Sequence, residues 1–196
     1  MKVFVKTYGC TFNQRDSETI KGVLQHDDFT IVDSEMEADI IVVNSCGVKG
    51  VTQDKIVSYI NAQKKKVYVG GCLTKMIDMA KYSNVVGVFD PNTISQVGHQ
   101  IKNNILKNFS NKKEDKLGLP MVKVGEEKTI IPISEGCLGG CTFCSVKLAR
   151  GRLRSYRVGD IVRAMQGKKI YLTSQDCGCY GFDIGTNLAE LLREVV

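Results

Sequence analysis

The chain has 196 residues, 43% of them hydrophobic, and a net charge of +6, which leaves room for one large or two small globular domains and excludes long disorder. No segment approaches the ~20 apolar residues of a membrane span, and Met1–Lys6 has no apolar stretch long enough for a signal peptide, so a cytoplasmic protein with no membrane partner is expected. Its eight cysteines fall short of the ~8–10% typical of a secreted disulfide scaffold, which leaves them for metal, cluster or core roles.

From the N-terminus, residues 2–6 alternate like a strand. Residues 16–25 place Ile20, Val23 and Leu24 at helical spacing, with Asp16 or Ser17 as the N-cap. A short strand follows at 29–32, and Ala38 to Val43 is an apolar run of the kind found in buried parallel strands. A helix is expected at 52–63, a buried strand at 67–69, a short helix at 74–81, a fifth strand at 85–89 and a closing helix at 93–108. This alternation predicts an α/β domain over residues 1–109, a flavodoxin-like doubly wound parallel sheet. Residues 110–122 read as a linker, polar from Ser110 to Lys116 and ending near Gly118 and Pro120. The second domain, 123–196, opens on the run from Met121 to Val124 and a strand near 129–133. It continues with a helix at 160–166, a strand at 169–173, a loop at 174–181 and a last helix at 187–196. That order is the start of a β/α barrel of TIM type.

The cysteines occupy telling places in this layout. Cys10, Cys46 and Cys72 follow the first, third and fourth strands, and loops at the carboxyl ends of strands in a doubly wound sheet gather at one edge. A single such cysteine is an ordinary small core residue, but three at one edge point to a metal or cluster site. Cys137, Cys141 and Cys144 form a second set, in a loop expected at the end of the 129–133 strand. Three thiolates at that spacing can hold one corner of a four-iron cluster, which normally takes four cysteines, and so leave one iron open to a substrate or cofactor. Gly136, Gly139 and Gly140 let the backbone pass close to an inorganic core. The same spacing also suits zinc, with Cys177 or Cys179 as a fourth ligand. Two separate sets favour iron–sulfur chemistry.

The positive charge is partly local, in Lys64–Lys66, Lys112 and Lys113, and in Lys147, Arg150, Arg152, Arg154 and Arg157. It suits a polyanionic partner through phosphate contacts, although most such runs are solvated faces.

The loop Glu135–Cys144, with Phe143 before its third cysteine, resembles the radical S-adenosylmethionine (SAM) superfamily. Along nearly its whole length, the chain resembles the tRNA methylthiotransferase family. Thr7-Tyr8-Gly9-Cys10 with Asn13 and Asp16-Ser17-Glu18, Asn44-Ser45-Cys46-Gly47-Val48, and Gly70-Gly71-Cys72 are similar to that family's N-terminal cluster-binding domain. Ala149-Arg150-Gly151-Arg152, Ser155-Tyr156 and Leu172-Thr173-Ser174-Gln175-Asp176 are similar to its radical SAM domain. Asp183-Ile184-Gly185-Thr186-Asn187-Leu188 resembles the archaeal and eukaryotic branch, which acts on N6-threonylcarbamoyladenosine beside the anticodon; the isopentenyladenosine branch is the alternative.

The resemblance implies two [4Fe-4S] clusters, an auxiliary one on Cys10, Cys46 and Cys72 and a SAM-cleaving one on Cys137, Cys141 and Cys144. It implies SAM both as methyl donor and as radical source, with a deoxyadenosyl radical removing hydrogen from adenine carbon 2. Phe143, Ser174, Gln175 and Asp176 would contact the cofactor, and Arg150, Arg152 and Arg154 are candidates for phosphate or SAM-carboxylate contacts. The implied partners are tRNA, an electron-donor protein, and a second polypeptide completing the barrel if the enzyme is split. The chain departs from the family at Arg157, where a proline is usual, at Cys177, where a threonine is usual, and in a shortened stretch between Tyr156 and Lys169. It also stops after about two of six β/α units. An open barrel fragment exposes strand edges and apolar faces, so the second segment is expected to fold less firmly than the first. The competing readings are a non-catalytic iron–sulfur or zinc scaffold and a basic RNA-binding module with structural cysteines.

Overall fold

The computed structural model describes residues 1–47, 50–123 and 128–195; Val48, Val124 and Val196, each part of an expected motif or element, lie outside them. The chain divides into two compact units, Met1–Val122 and Lys123–Val196.

In the first unit, strands β1 (Lys2–Thr7), β2 (Thr30–Val32), β3 (Ile40–Ser45), β4 (Lys66–Gly71), β5 (Val85–Phe89) and β6 (Lys107–Asn108) make one parallel sheet in the order β2-β1-β3-β4-β5-β6. The order 2-1-3-4-5 is that of the flavodoxin-like doubly wound fold, with a reversal between β1 and β3. All of β3 is buried, as a central parallel strand covered on both faces must be. Its side chains divide by parity. Ile40 and Val42 pack with Ile20, Val23 and Leu24 of helix α1 (Thr11–His26) and with Val97 and Ile101 of helix α3 (Val97–Lys102). Ile41 and Val43 pack on the opposite face with Ile56 and Ile60 of helix α2 (Gly50–Ala62).

Three local expectations change. Helix α1 starts at Thr11, five positions before Asp16, and Cys10 is its N-cap residue. Asp16 and Ser17 are buried helix-interior residues whose side chains serve tertiary contacts instead of capping: Asp16 receives Lys116 Nζ at 3.2 Å, and Ser17 Oγ bonds to Thr7 and Asn44. The helix expected at 74–81 is replaced by two 3-10 turns, Cys72–Lys75 and Met79–Lys81. The helix expected at 93–108 begins as a 3-10 turn at Ile94–Gln96, continues as α3 and stops at Asn103. Asn104 then takes a left-handed conformation (φ 51°), tolerated by a short polar side chain, and the chain turns back to add β6.

Residues 110–122, expected as a linker, carry buried contacts within this unit. Glu114 accepts the N–H groups of Ile94 and Ser95, Lys116 is 1% exposed beside Asp16, and the Val122 N–H reaches Glu18 O at 2.9 Å.

The second unit contains β7 (Thr129–Pro132), β8 (Ser134–Glu135), helix α4 (Val146–Arg150), β9 (Arg154–Ser155), helix α5 (Val158–Ala164), β10 (Ile170–Thr173) and helix α6 (Leu188–Val195). β7 and β10 pair in parallel with α5 packed on β7, one β/α step of the expected barrel kind. A short antiparallel β8–β9 ladder and the single turn of α4 lie between them; neither is signalled by hydrophobic periodicity, since each is only two to five residues long.

Candidate cluster-binding site

In the first unit, β1, β3 and β4 run in parallel and in register, with Thr7 opposite Asn44 and Ser45 opposite Gly71. Cys46 and Cys72 are each the next residue after that last pair, and Cys10 follows three residues beyond Thr7. The sheet therefore brings all three cysteines to its carboxyl edge, at the β1/β3 switch point where ligands of doubly wound folds bind. Cys46 and Cys72 are buried, Cys10 is exposed, and all three thiols are free.

The loops meet through a glycine and an asparagine. Gly9 has φ 122°, and a Cβ built there would stand 2.9 Å from Cys46 Cβ and about as close to Asn13, so only glycine lets the first loop close over the third strand's end. Asn13 lies one helical turn beyond Cys10 and is 1% exposed. Its Oδ1 accepts from Cys10 Sγ at 3.4 Å while its Nδ2 donates to Ser45 O at 3.0 Å. One side chain thus holds the Cys10 thiol to the backbone just before Cys46. Near Cys72, Lys75 Nζ pairs at 2.5 Å with Asp90, which has no solvent exposure.

In the second unit, the Cys137–Cys144 loop leaves β8 and returns through α4 to β9. Its base is held by Arg150, whose Nη1 donates to Glu135 Oε1 at 2.7 Å, and by the Cys137 N–H to Gly151 O at 3.3 Å. Gly136 has φ 90°, and a side chain there would collide with the Arg152 carbonyl. Arg150 is therefore a buried strut, not the phosphate or SAM-carboxylate contact its position in the basic run suggested. Lys147 is also committed, donating to the carbonyls of Leu138 and Gly139 at 3.2 and 2.9 Å. Lys65 in the first unit behaves alike, with its Nζ on the carbonyls of Glu35, Met36 and Ala38. Lys147, Arg152 and Arg157 are the exposed cations of the run, and Arg154 lies over the Tyr156 ring.

Cys137, Cys141 and Cys144 line one pocket of about 240 Å³, together with Gly139, Gly140, Val146, Lys147 and Leu148. Both Cys137 Sγ and Cys141 Sγ lie within 4 Å of the point where a Cβ on Gly139 would stand, and the Gly139 N–H donates to Cys137 Sγ at 3.2 Å. Such N–H···S bonds are among the contacts that tune cluster thiolates. Phe143 is 91% exposed and Leu148 72% exposed beside the loop.

The loop after β10 meets the cysteine loop. Gln175 Oε1 accepts the Gly136 N–H at 2.6 Å, and Asp176 Oδ2 accepts from Cys137 Sγ at 3.4 Å. Ser174 Oγ bonds to Cys177 Sγ at 3.3 Å. Of the expected cofactor contacts, Gln175 and Asp176 thus hold the first cysteine and its approach, Ser174 turns toward Cys177, and Phe143 projects into solvent. Cys179, buried against this loop, has its thiol pushed up in pKa chiefly by burial, and further by the negative charge of Asp176 and Cys137, against an opposing hydrogen bond with the Leu138 backbone.

Spacing separates the chemistries. Among the described residues, the ligand atoms drawn within single-ion range of one another, 4.8 Å, are those of Cys137, Asp176 and Cys179. Neither cysteine trio is gathered so tightly. A cluster needs no such crowding, because each thiolate binds its own iron. Each place offers three cysteine thiols, the donor type that iron–sulfur clusters take. Asn13 and the buried Glu135–Arg150 strut carry no separate periodic signal; Asn13 enters the sequence reading only within the motif that opens Thr7-Tyr8-Gly9-Cys10.

Residues 2–87 match the family model described as uncharacterized protein family UPF0004. Along its full length the chain is 40% identical over 212 residues to a protein of Pyrococcus horikoshii named probable threonylcarbamoyladenosine tRNA methylthiotransferase, of which it covers 50%. It is 35% identical over 218 residues to a protein of the same name from Methanocaldococcus jannaschii, covering 49% of it. It is 34% identical over 215 residues to the human threonylcarbamoyladenosine tRNA methylthiotransferase, covering 37% of that protein. The chain thus spans about half the length of the archaeal relatives it matches.

Proposed function

Because the chain is related from end to end to threonylcarbamoyladenosine tRNA methylthiotransferases, we propose that it serves the same reaction, placing a methylthio group on carbon 2 of threonylcarbamoyladenosine in tRNA. The observation that carries this reading is the pair of cysteine trios, one at the switch edge of the first sheet and one around the glycine-lined pocket of the second unit. Cys10, Cys46 and Cys72 would hold an auxiliary four-iron cluster, and Cys137, Cys141 and Cys144 the cluster that binds SAM. When bound, these groups supply reductive SAM cleavage and sulfur for transfer.

The chain's own residues do the rest of the work. Asn13 orients the Cys10 thiol, and the Gly139 N–H donates to Cys137, easing its negative charge as a thiolate. Gln175 and the Glu135–Arg150 pair fix the entry and exit of the cysteine loop that would carry the three thiolates. Preorganisation of this kind is what a precise site requires. Phe143 and Leu148 give the loop an exposed apolar rim for cofactor or nucleoside, and Arg152 and Arg157 give it exposed positive charge for phosphate. Among the described residues, no helix is long and apolar enough to cross a membrane. An electron-donor protein is part of the proposal, because reductive cleavage consumes an electron. A cytoplasmic location follows from the tRNA substrate.

The test is nucleoside mass spectrometry of tRNA incubated with the reconstituted chain, SAM and a strong reductant, with and without the remaining half of an archaeal relative supplied in trans. Methylthio-threonylcarbamoyladenosine is the expected product. Methylthiolation of only the isopentenyl nucleoside would overturn the assignment.

A further inference from the structure

The β7–β10 pair aligns Pro132 with Thr173, and the Ile133 N–H bonds to Thr173 O at 2.9 Å. The segments leaving these two strands therefore emerge side by side. One carries Cys137; the other carries Asp176 and, at the end of the 3-10 turn Cys177–Cys179, Cys179. Asp176 is held by its Oδ1, which accepts the Gly178 N–H at 3.1 Å, and this aims Oδ2 at Cys137 Sγ, 3.4 Å away. Cys179 is 6% exposed, and its Sγ lies 3.2 Å from the Asp176 carbonyl. The two sulfurs and the carboxylate oxygen all fall within 4.8 Å of one another.

We propose that Cys137, Asp176 and Cys179 form a binding site for a thiophilic divalent cation of the Zn²⁺ class, which overlaps the cysteine loop at Cys137 and takes its other ligands from the loop after β10. Two thiolates and one carboxylate match the ligand preference of zinc and not that of Mg²⁺ or Ca²⁺, which take oxygen ligands. Three protein ligands leave the fourth tetrahedral position to water. Binding releases the two thiol protons to solvent, with no change of oxidation state. A cation here occupies Cys137, one of the three thiols of the cysteine loop, so loading of this site and assembly of a cluster on the loop oppose each other. The inference rests on side-chain geometry alone and stands or falls apart from the methylthiotransferase reading.

The experiment is an anaerobic titration of the reduced, metal-stripped chain with Co²⁺, followed by thiolate-to-cobalt charge-transfer absorption and back-displacement with Zn²⁺. Cys179→Ala should remove about one Co²⁺ per chain from the sulfur-bound total, as loss of a four-coordinate site requires. Asp176→Asn should weaken that same equivalent by roughly tenfold or more, while Cys141→Ala and Cys144→Ala leave it in place. Full Co²⁺ binding by Cys179→Ala would overturn the site, as would loss of the same equivalent in Cys141→Ala or Cys144→Ala, since the ion would then sit in the loop. Circular dichroism confirms folding, and Cys179→Ser provides the same comparison if the alanine variant does not fold.

Discussion

Arg150 Nη1 stands 2.7 Å from Glu135 Oε1, and each side chain is only 2% exposed. The two residues lie at opposite ends of the cysteine loop, so this buried pair ties its entrance to its exit. Removing one partner of such a pair leaves a charge in a low-dielectric site and typically costs about 3–5 kcal/mol, whereas replacing both by apolar or neutral groups is often nearly neutral. Arg150→Ala should therefore destabilise the second unit by about that amount, and Glu135→Gln with Arg150→Met should recover most of it. Urea unfolding followed by hydrogen exchange at β8 and β9 measures both variants; equal loss in the single and double variants would contradict the strut.

Asn13 should matter to one cysteine set and not the other. Its amide joins Cys10 Sγ to Ser45 O inside a buried network, and loss of a buried hydrogen-bonding group costs roughly 1–3 kcal/mol. Asn13→Ala should lower iron uptake in a chain whose Cys137, Cys141 and Cys144 are replaced by alanine. It should leave uptake unchanged in a chain lacking Cys10, Cys46 and Cys72. Iron analysis after anaerobic reconstitution reads both, and an equal effect in the two backgrounds would remove Asn13 from the site.

Burial raises the pKa of Glu114 above the ordinary carboxylate range, outweighing its bonds from Ser95 and Ile94 and the nearby Lys116 charge. A raised folded value means that the protonated form favours the fold. The contribution is complete below the ordinary value and is lost as pH rises through the folded one. Glu114→Gln, which cannot ionise, should therefore gain stability relative to the wild type between about pH 4 and pH 7. Paired thermal melts at the two pH values give the sign; an unchanged or reversed difference would contradict it.

Much of the first unit was legible because long apolar runs signal buried parallel strands: Ile40–Val43 and Val67–Val69 announce β3 and β4, and their register carries Cys46 and Cys72 to one edge. The start of α1 was not legible. Asn13, Asp16 and Ser17 look like capping or turn residues in sequence, but their partners Asn44, Thr7 and Lys116 are up to 100 residues away, and such tertiary contacts override local propensity. The role of 110–122 was hidden for the same reason, since Lys116 reads as solvated until Asp16 is seen beside it. Arg150 likewise sits in a basic run, and only the fold reveals Glu135 as its partner.

Exposure should translate into unequal opening. Every residue of β3 is buried, whereas Tyr171 in β10 is exposed and its three neighbours in the strand are half-buried. Local opening free energies follow burial and contact density. Amides of Ile41, Val42 and Val43 should outlast those of Tyr171 and Leu172 in hydrogen exchange by orders of magnitude. Equal protection of the two strands would show that β10 gains cover the structure does not account for.

Iron content with electron paramagnetic resonance after anaerobic reconstitution tests most directly the proposal that each cysteine trio holds its own iron–sulfur cluster. Replacing Cys137, Cys141 and Cys144 by alanine should remove about half of the iron, as expected for one of two like clusters, and abolish SAM cleavage. Replacing Cys10, Cys46 and Cys72 should remove the other half and leave SAM cleavage measurable. Loss of all iron from either triple variant while the protein stays folded would contradict two independent sites.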